Sequence, residues 1–382
     1  MTNKKYNYLK FILSIFFTWK IWTLVFSSFA VVFINLKLNF LGGGLEHYLR
    51  FPWFWLWANF DGEHYLAIAQ HGYGNGEQAF FPLYSLLMQW LSWPMRGDIY
   101  FLQLVGLLIS YISFFIALIG LWKIINLDFK EKIAKLTIIL LIVFPTSFYF
   151  GSTYTESLFF SLTIWSFYSA RRGKWWLAGI LGALASTSRF IGILLLPVLL
   201  IEWWIQKKKF TIYNLQFLSI FLVPFGLFSY MYYLKQTTGD PLAFLHSLSY
   251  FGEQRSITPI LLPQVFWRYL KIMMDIPKND PFFFTFLLEV STAILFLILS
   301  IFSFFKLRLS YAVWLLLGYL VPTFSGSFSS LPRYILPLFP AFLLMAMFLE
   351  KQPQKIQIVI ALFLMTLLSI STILFARGYW IA

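Results

Sequence analysis

Trp57-Ala58-Asn59-Phe60-Asp61-Gly62-Glu63-His64-Tyr65 sets Asp61, Glu63 and His64 within four residues, just past the first long apolar run. Outward from it, in both directions, the chain is dominated by apolar runs. Of 382 residues, 60% are hydrophobic and 12% charged, whereas an ordinary soluble domain carries about 25% charged residues. Many runs approach the roughly 20 residues that span a bilayer as helix, and no strand alternation of barrel type occurs. The chain reads as an all-α polytopic membrane protein, a single integral membrane domain over residues 1–382. A charged cluster gains little inside lipid, so this one points to chemistry at the membrane surface.

Cysteine is absent, which excludes disulfides, thiol nucleophiles and thiolate metal sites. No Asn-x-Ser/Thr sequon occurs, which leans toward a chain not made in a secretory pathway; a prokaryotic plasma membrane is the expected location. Lys4, Lys5 and Lys10 precede the first apolar run with no small-residue cleavage site after it, so an uncleaved first helix is expected. The net charge of +14 does not indicate nucleic acid, because Lys and Arg fall in short clusters between apolar runs.

Hydropathy predicts about eleven spans: 12–36, 99–122, 136–152, 154–170, 175–188, 190–206, 211–234, 282–305, 309–325, 334–350 and 356–376. The 175–188 and 190–206 pieces read either as two tilted helices or as one broken helix. With the N-terminus cytoplasmic, the inner segments hold 17 of the 29 Lys and Arg, Lys207, Lys208 and Lys209 among them. They hold only four acids: Asp128, Glu131, Glu202 and Glu350. That asymmetry satisfies the positive-inside rule. Lys20 falls within the first span and is expected to snorkel. Residues 79–95, interrupted by Pro82 and Pro94, read as re-entrant or interfacial. Two long outer segments remain, 37–98 and 235–281. Loops of such length are uncommon unless functional. Each carries apolar residues at helical spacing, in 65–69 and 265–272.

This topology gathers unusual polar residues on the non-cytoplasmic side: Asp61, Glu63 and His64; Glu156 in Tyr154-Thr155-Glu156-Ser157; Arg189 in Thr187-Ser188-Arg189-Phe190; His246; and Arg333 in Leu331-Pro332-Arg333-Tyr334. A carboxylate there suits general-base work on a hydroxyl. Arginines at helix ends suit a phosphate, and aromatic-lined interfacial segments suit an isoprenoid tail. Together they suggest transfer from a lipid-phosphate donor to a hydroxyl acceptor, with these groups meeting in one pocket. Asp61 also suits a helix N-cap, a role compatible with the first, and a divalent metal on Asp61 and Glu63 is left open. Gly42-Gly43-Gly44 lacks the context of a phosphate loop and reads as a flexible turn.

Asp61-Gly62-Glu63-His64-Tyr65, with Gly72-Tyr73 and Ala79-Phe80-Phe81-Pro82-Leu83-Tyr84, resembles the first-loop signature of the PIG-V mannosyltransferase family, which includes GPI mannosyltransferase II. Tyr154-Thr155-Glu156-Ser157, Ser188-Arg189-Phe190, Gly239-Asp240-Pro241 and Pro332-Arg333-Tyr334 are similar to later motifs. The resemblance implies a GT-C glycosyltransferase fold, a polyprenyl-phosphate-linked sugar donor, usually mannose, and inversion, with Asp61 as base. Phe60 stands where the family often has Arg or Trp. The acceptor is a glycolipid, glycan or protein. The competing class is a lipid or glycan transporter or flippase. That class is expected to show paired halves and ionisable or broken helices at the bilayer midplane; this chain shows no repeat.

Overall fold

The computed structural model describes residues 2–95, 97–206, 214–251 and 258–381. Lys207, Lys208 and Lys209 lie outside the described residues. The chain forms two compact units, each assembled from separated stretches: 1–70, 87–164 and 342–381 in the first, 71–86 and 165–341 in the second. Among the described residues, five helices are long and apolar enough to cross a membrane: Tyr8–Phe33, Ile99–Ile125, Leu215–Thr238, Pro281–Lys306 and Gln354–Ala376. The other expected spans are shorter pieces, because hydropathy registers apolar length and not backbone continuity. The third ends as helix at Ile142, ahead of Pro145, and resumes as a 3-10 turn over Ser147–Gly151. The tenth, expected from 334, starts on the last residue of the short Leu331–Tyr334 helix and is helical again only over Phe339–Leu349, with Pro337 in the break.

In the first unit, the first and last long helices run side by side. Trp22 Nε1 donates to Ser369 Oγ at 3.0 Å, and Arg377 Nε donates to the Ile34 carbonyl at 2.7 Å. The Ile99–Ile125 helix starts where Asp98 accepts the Tyr100 and Phe101 amides, a side-chain N-cap. Lys132 pairs with Glu350 at 3.1 Å, joining two segments that the charge pattern assigns to the same side. Lys20 does not snorkel. Its ammonium lies 4.0 Å from the centre of the Trp57 ring and 4.5 Å from that of Tyr111, and it hydrogen-bonds the Tyr111 hydroxyl. Lys20 is 13 residues before Phe33, about 20 Å of helix. The loop carrying Trp57 therefore meets the first helix far from its end, and ring faces take the place of water around the cation.

In the second unit, the Trp175–Ser188 helix packs on the Val223–Thr238 helix and the turn before it through glycines. A Cβ at Gly179 would stand 1.9 Å from the Ser219 carbonyl oxygen, and one at Gly226 2.1 Å from that of Ala183. Small residues permit such backbone approach in membrane helices. The 175–206 stretch is a hairpin, not one broken helix. Arg189 is extended (φ −154°, ψ 146°), and Gly192 folds back so that a Cβ would meet Ala185 backbone at 2.5 Å. At the far end of the Phe190–Ile205 piece, Glu202 is 1% exposed and fully engaged. Arg308 binds it through Nε and Nη2 at 2.8 and 2.9 Å, Ser310 Oγ donates at 2.8 Å, and Arg171 Nε lies 3.6 Å away. Three segments that the charge pattern assigns to one side thus converge on one carboxylate.

Candidate active site

Each unit carries part of the set expected from the sequence. Asp61, Glu63, His64 and Glu156 belong to the first, Arg189, His246 and Arg333 to the second.

Asp61 opens the Asp61–His71 helix, where the helix N-terminus favours a negative side chain. The turn that delivers it is tightly held. Phe60 has φ 60°, a left-handed angle that a side chain adopts only when its surroundings enforce it. Its amide donates to the Phe40 carbonyl at 2.8 Å, and its ring packs on Phe375 and Trp380. Asn59, wholly buried, accepts the Gly42 amide at 2.9 Å and donates to the Phe375 carbonyl at 2.9 Å. Asn59 lies within the quoted motif, yet its partners are far along the chain, so sequence reading passes over it.

The same turn is stapled to the segment bearing Glu156. The Thr153 amide donates to the Trp57 carbonyl at 2.9 Å, and Tyr154 Oη donates to the Asn59 carbonyl at 2.6 Å. Tyr65 Oη lies 3.4 Å from Thr155 Oγ1. Gly62 faces this contact, where a Cβ would come within 3.2 Å of Ala58 Cβ and 3.5 Å of the Thr153 carbonyl oxygen. Glu156 is 1% exposed and opens the Glu156–Arg171 helix. The structure therefore brings the first-loop motif and the Tyr154-Thr155-Glu156-Ser157 motif together.

Glu63 turns back to accept the Gly44 amide at 3.2 Å. Burial pushes its carboxyl above the ordinary carboxylate range, while the Gly44 hydrogen bond and nearby His64 pull it back down. The Gly42-Gly43-Gly44 turn is a site of close approach and not merely flexible. A Cβ at Gly42 would stand 2.2 Å from the Trp55 carbonyl oxygen, and Gly43 has φ 71°. Among the described residues, no group of three or more His, Asp or Glu side chains is placed to hold a metal ion.

In the second unit, Arg189 and Arg333 reach one aromatic ring. Each guanidinium carbon lies 5.0 Å from the centre of Tyr334, so the two are at most 10.0 Å apart. Arg333, 3% exposed, also places Nη2 3.3 Å from Tyr334 Oη. His246 is exposed and pairs through Nδ1 with Asp240 at 2.5 Å. That hydrogen bond and the Leu242 amide hold Asp240 below the ordinary carboxylate range. Glu289, which the sequence puts in the outer half of the eighth expected span with no site role, is buried and accepts from Tyr269 Oη at 2.9 Å. Tyr269 Oη in turn accepts the Phe328 amide at 3.0 Å.

A family model described as mannosyltransferase (PIG-V) matches residues 6–239. No curated protein matches the sequence. Among solved structures, ArnT from Cupriavidus metallidurans bound to undecaprenyl phosphate is similar at a TM-score of 0.51 and 16% identity, covering 88% of this chain and 62% of that one. The apo state of the same protein gives 0.48 and 16%, covering 89% and 62%. The chain thus spans less than two thirds of the ArnT chain's length. At that identity the likeness concerns the fold, which is that of the GT-C glycosyltransferases expected from the sequence.

Proposed function

The chain belongs to the PIG-V mannosyltransferase family, and on that premise we propose that it transfers a hexose, mannose, from a polyprenyl-phosphate-linked donor to a hydroxyl acceptor. The transfer takes place on the non-cytoplasmic side of the membrane, with inversion. Undecaprenyl phosphate bound to ArnT is a precedent for a lipid of this kind on this fold.

Asp61 is the base. Its carboxylate takes the acceptor hydroxyl proton as that oxygen attacks the anomeric carbon from the face opposite the phosphate. The bond from the anomeric carbon to the phosphate oxygen breaks, and the lipid monophosphate leaves with the electron pair. Arg189 and Arg333 offset its charge, as guanidinium pairs suit phosphate oxygens. Glu156 and His64 orient donor or acceptor. Glu63 contributes through the Gly44 turn, and His246 completes the substrate-binding set.

The observation that carries this reading is the construction of the Asp61 turn. A non-glycine residue held left-handed, a buried Asn59 and three contacts to the Glu156 segment hold the turn that presents Asp61. Strain maintained against its cost suggests function. The test is Asp61→Asn in the purified chain, assayed with a polyprenyl-phosphate-mannose donor. Turnover is expected to fall roughly 100-fold or more with the thermal midpoint unchanged, as for loss of a general base. Turnover near that of the wild type removes Asp61 from the mechanism.

A further inference from the structure

The Leu262–Asp275 helix leaves a second apolar face exposed. Its inner face packs within its own unit. Val265 and Tyr269 are buried, the rings of Phe266 and Tyr269 each lie 4.8 Å from that of Phe328, and Arg268 Nη1 donates to the Gly326 carbonyl at 3.3 Å. At 3.6 residues per turn, Trp267, Leu270 and Met274 fall together on a neighbouring arc, 58%, 47% and 80% exposed. Gln264, Lys271 and Asp275, also exposed, share a third arc. One face thus meets protein, one is apolar and open, and one is polar.

The depth of this helix follows from what Tyr269 reaches. Tyr269 Oη donates to Glu289 at 2.9 Å, and its ring lies 5.6 Å from that of Phe286. Both partners belong to the Pro281–Lys306 helix, which has 26 residues. That is about 39 Å of helix, against roughly 30 Å of hydrocarbon, so at most about 9 Å lies outside it. Glu289 is eight residues past Pro281, about 12 Å along. Even with all the excess at this end, Tyr269 bonds a group at hydrocarbon level, and the helix that carries it rests at the boundary.

We propose that the Trp267, Leu270 and Met274 face is seated in the acyl chains of the adjoining leaflet, which makes this helix an interfacial anchor with its polar face toward headgroups and water. Open apolar patches of this kind mark membrane contacts, and a helix with one apolar and one charged face suits the interface. Trp and Lys both favour that boundary, and here Lys271 Nζ lies 5.4 Å from the centre of the Trp267 ring. The same helix holds the segment leading to Arg333, because the Tyr269 hydroxyl accepts the Phe328 amide at 3.0 Å. The anchor is independent of which donor the chain uses.

The chain has no cysteine, so a single introduced cysteine reports one position. Leu270→Cys, Met274→Cys and Gln264→Cys, each labelled with the fluorophore NBD, are compared in the purified full chain in phosphatidylcholine nanodiscs. Quenching is by doxyl-labelled phosphatidylcholine or by aqueous iodide. Relative to the label at 264, those at 270 and 274 are expected to be quenched at least threefold more by the lipid and at least threefold less by iodide. Equal iodide quenching at all three positions puts the face in water and overturns the anchor. Protection of 270 and 274 from both quenchers means that protein covers the face, and overturns it too. Should either variant fail to fold, Trp267→Cys carries the same comparison with the same outcomes.

Discussion

Glu63 shows how one side chain in the first-loop motif divides its work between holding structure and carrying charge. Its carboxyl accepts the Gly44 amide, and burial raises its pKa above the ordinary carboxylate range. The folded chain therefore binds that proton more tightly than the unfolded chain does. The resulting stabilisation is complete below the ordinary range and is lost as pH rises through the raised value. Glu63→Gln keeps an acceptor for Gly44 and removes the ionisable group. Its thermal midpoint is expected to exceed that of wild type at pH 8, with the difference closing toward about pH 4, the ordinary value for glutamate. Midpoints measured across that range check this; a difference that widens as pH falls contradicts it. Asn59 sits four residues earlier, and its side-chain bonds reach Gly42 and Phe375. A reader of the sequence sees a small polar residue beside a motif, since nothing local announces partners so far along the chain.

Short elements position this site, and what made some of them legible explains why others were not. The Asp61–His71 and Leu262–Asp275 helices follow from apolar residues at helical spacing and form where that spacing falls. The break at Ile142 and the hairpin at Arg189 depend on backbone geometry that a hydropathy window averages away. Lys20 departs from the expected snorkelling because its environment, the Trp57 and Tyr111 rings, comes from other segments. The Trp175–Ser188 helix illustrates a close contact of the same kind. Gly179 lets it approach the Ser219 carbonyl oxygen so nearly that a Cβ would stand at 1.9 Å, against backbone that cannot rotate aside. Gly179→Ala is expected to destabilise by about 1–3 kcal/mol, the usual cost of overpacking. Denaturant or thermal unfolding in detergent measures it, and an unchanged midpoint contradicts the close-approach account.

At the scale of the whole chain, composition alone set the class, and the charge pattern set the expected sidedness. Two ion contacts agree with that pattern within their own units: Lys132 with Glu350, and Arg171 with Arg308 on Glu202. The family match and the GT-C likeness agree with what the motifs resembled. In the proposed reaction, sugar moves from a lipid phosphate to a hydroxyl with inversion. The direct measurement uses the purified chain in liposomes with membrane glycolipid extract, supplied in parallel with radiolabelled polyprenyl-phosphate-mannose and with labelled nucleotide sugar. Label is expected in the extract from the lipid donor only, with the anomeric configuration of the product opposite to that of the donor. Transfer from the nucleotide sugar alone, or a product that keeps the donor's configuration, rules that reaction out.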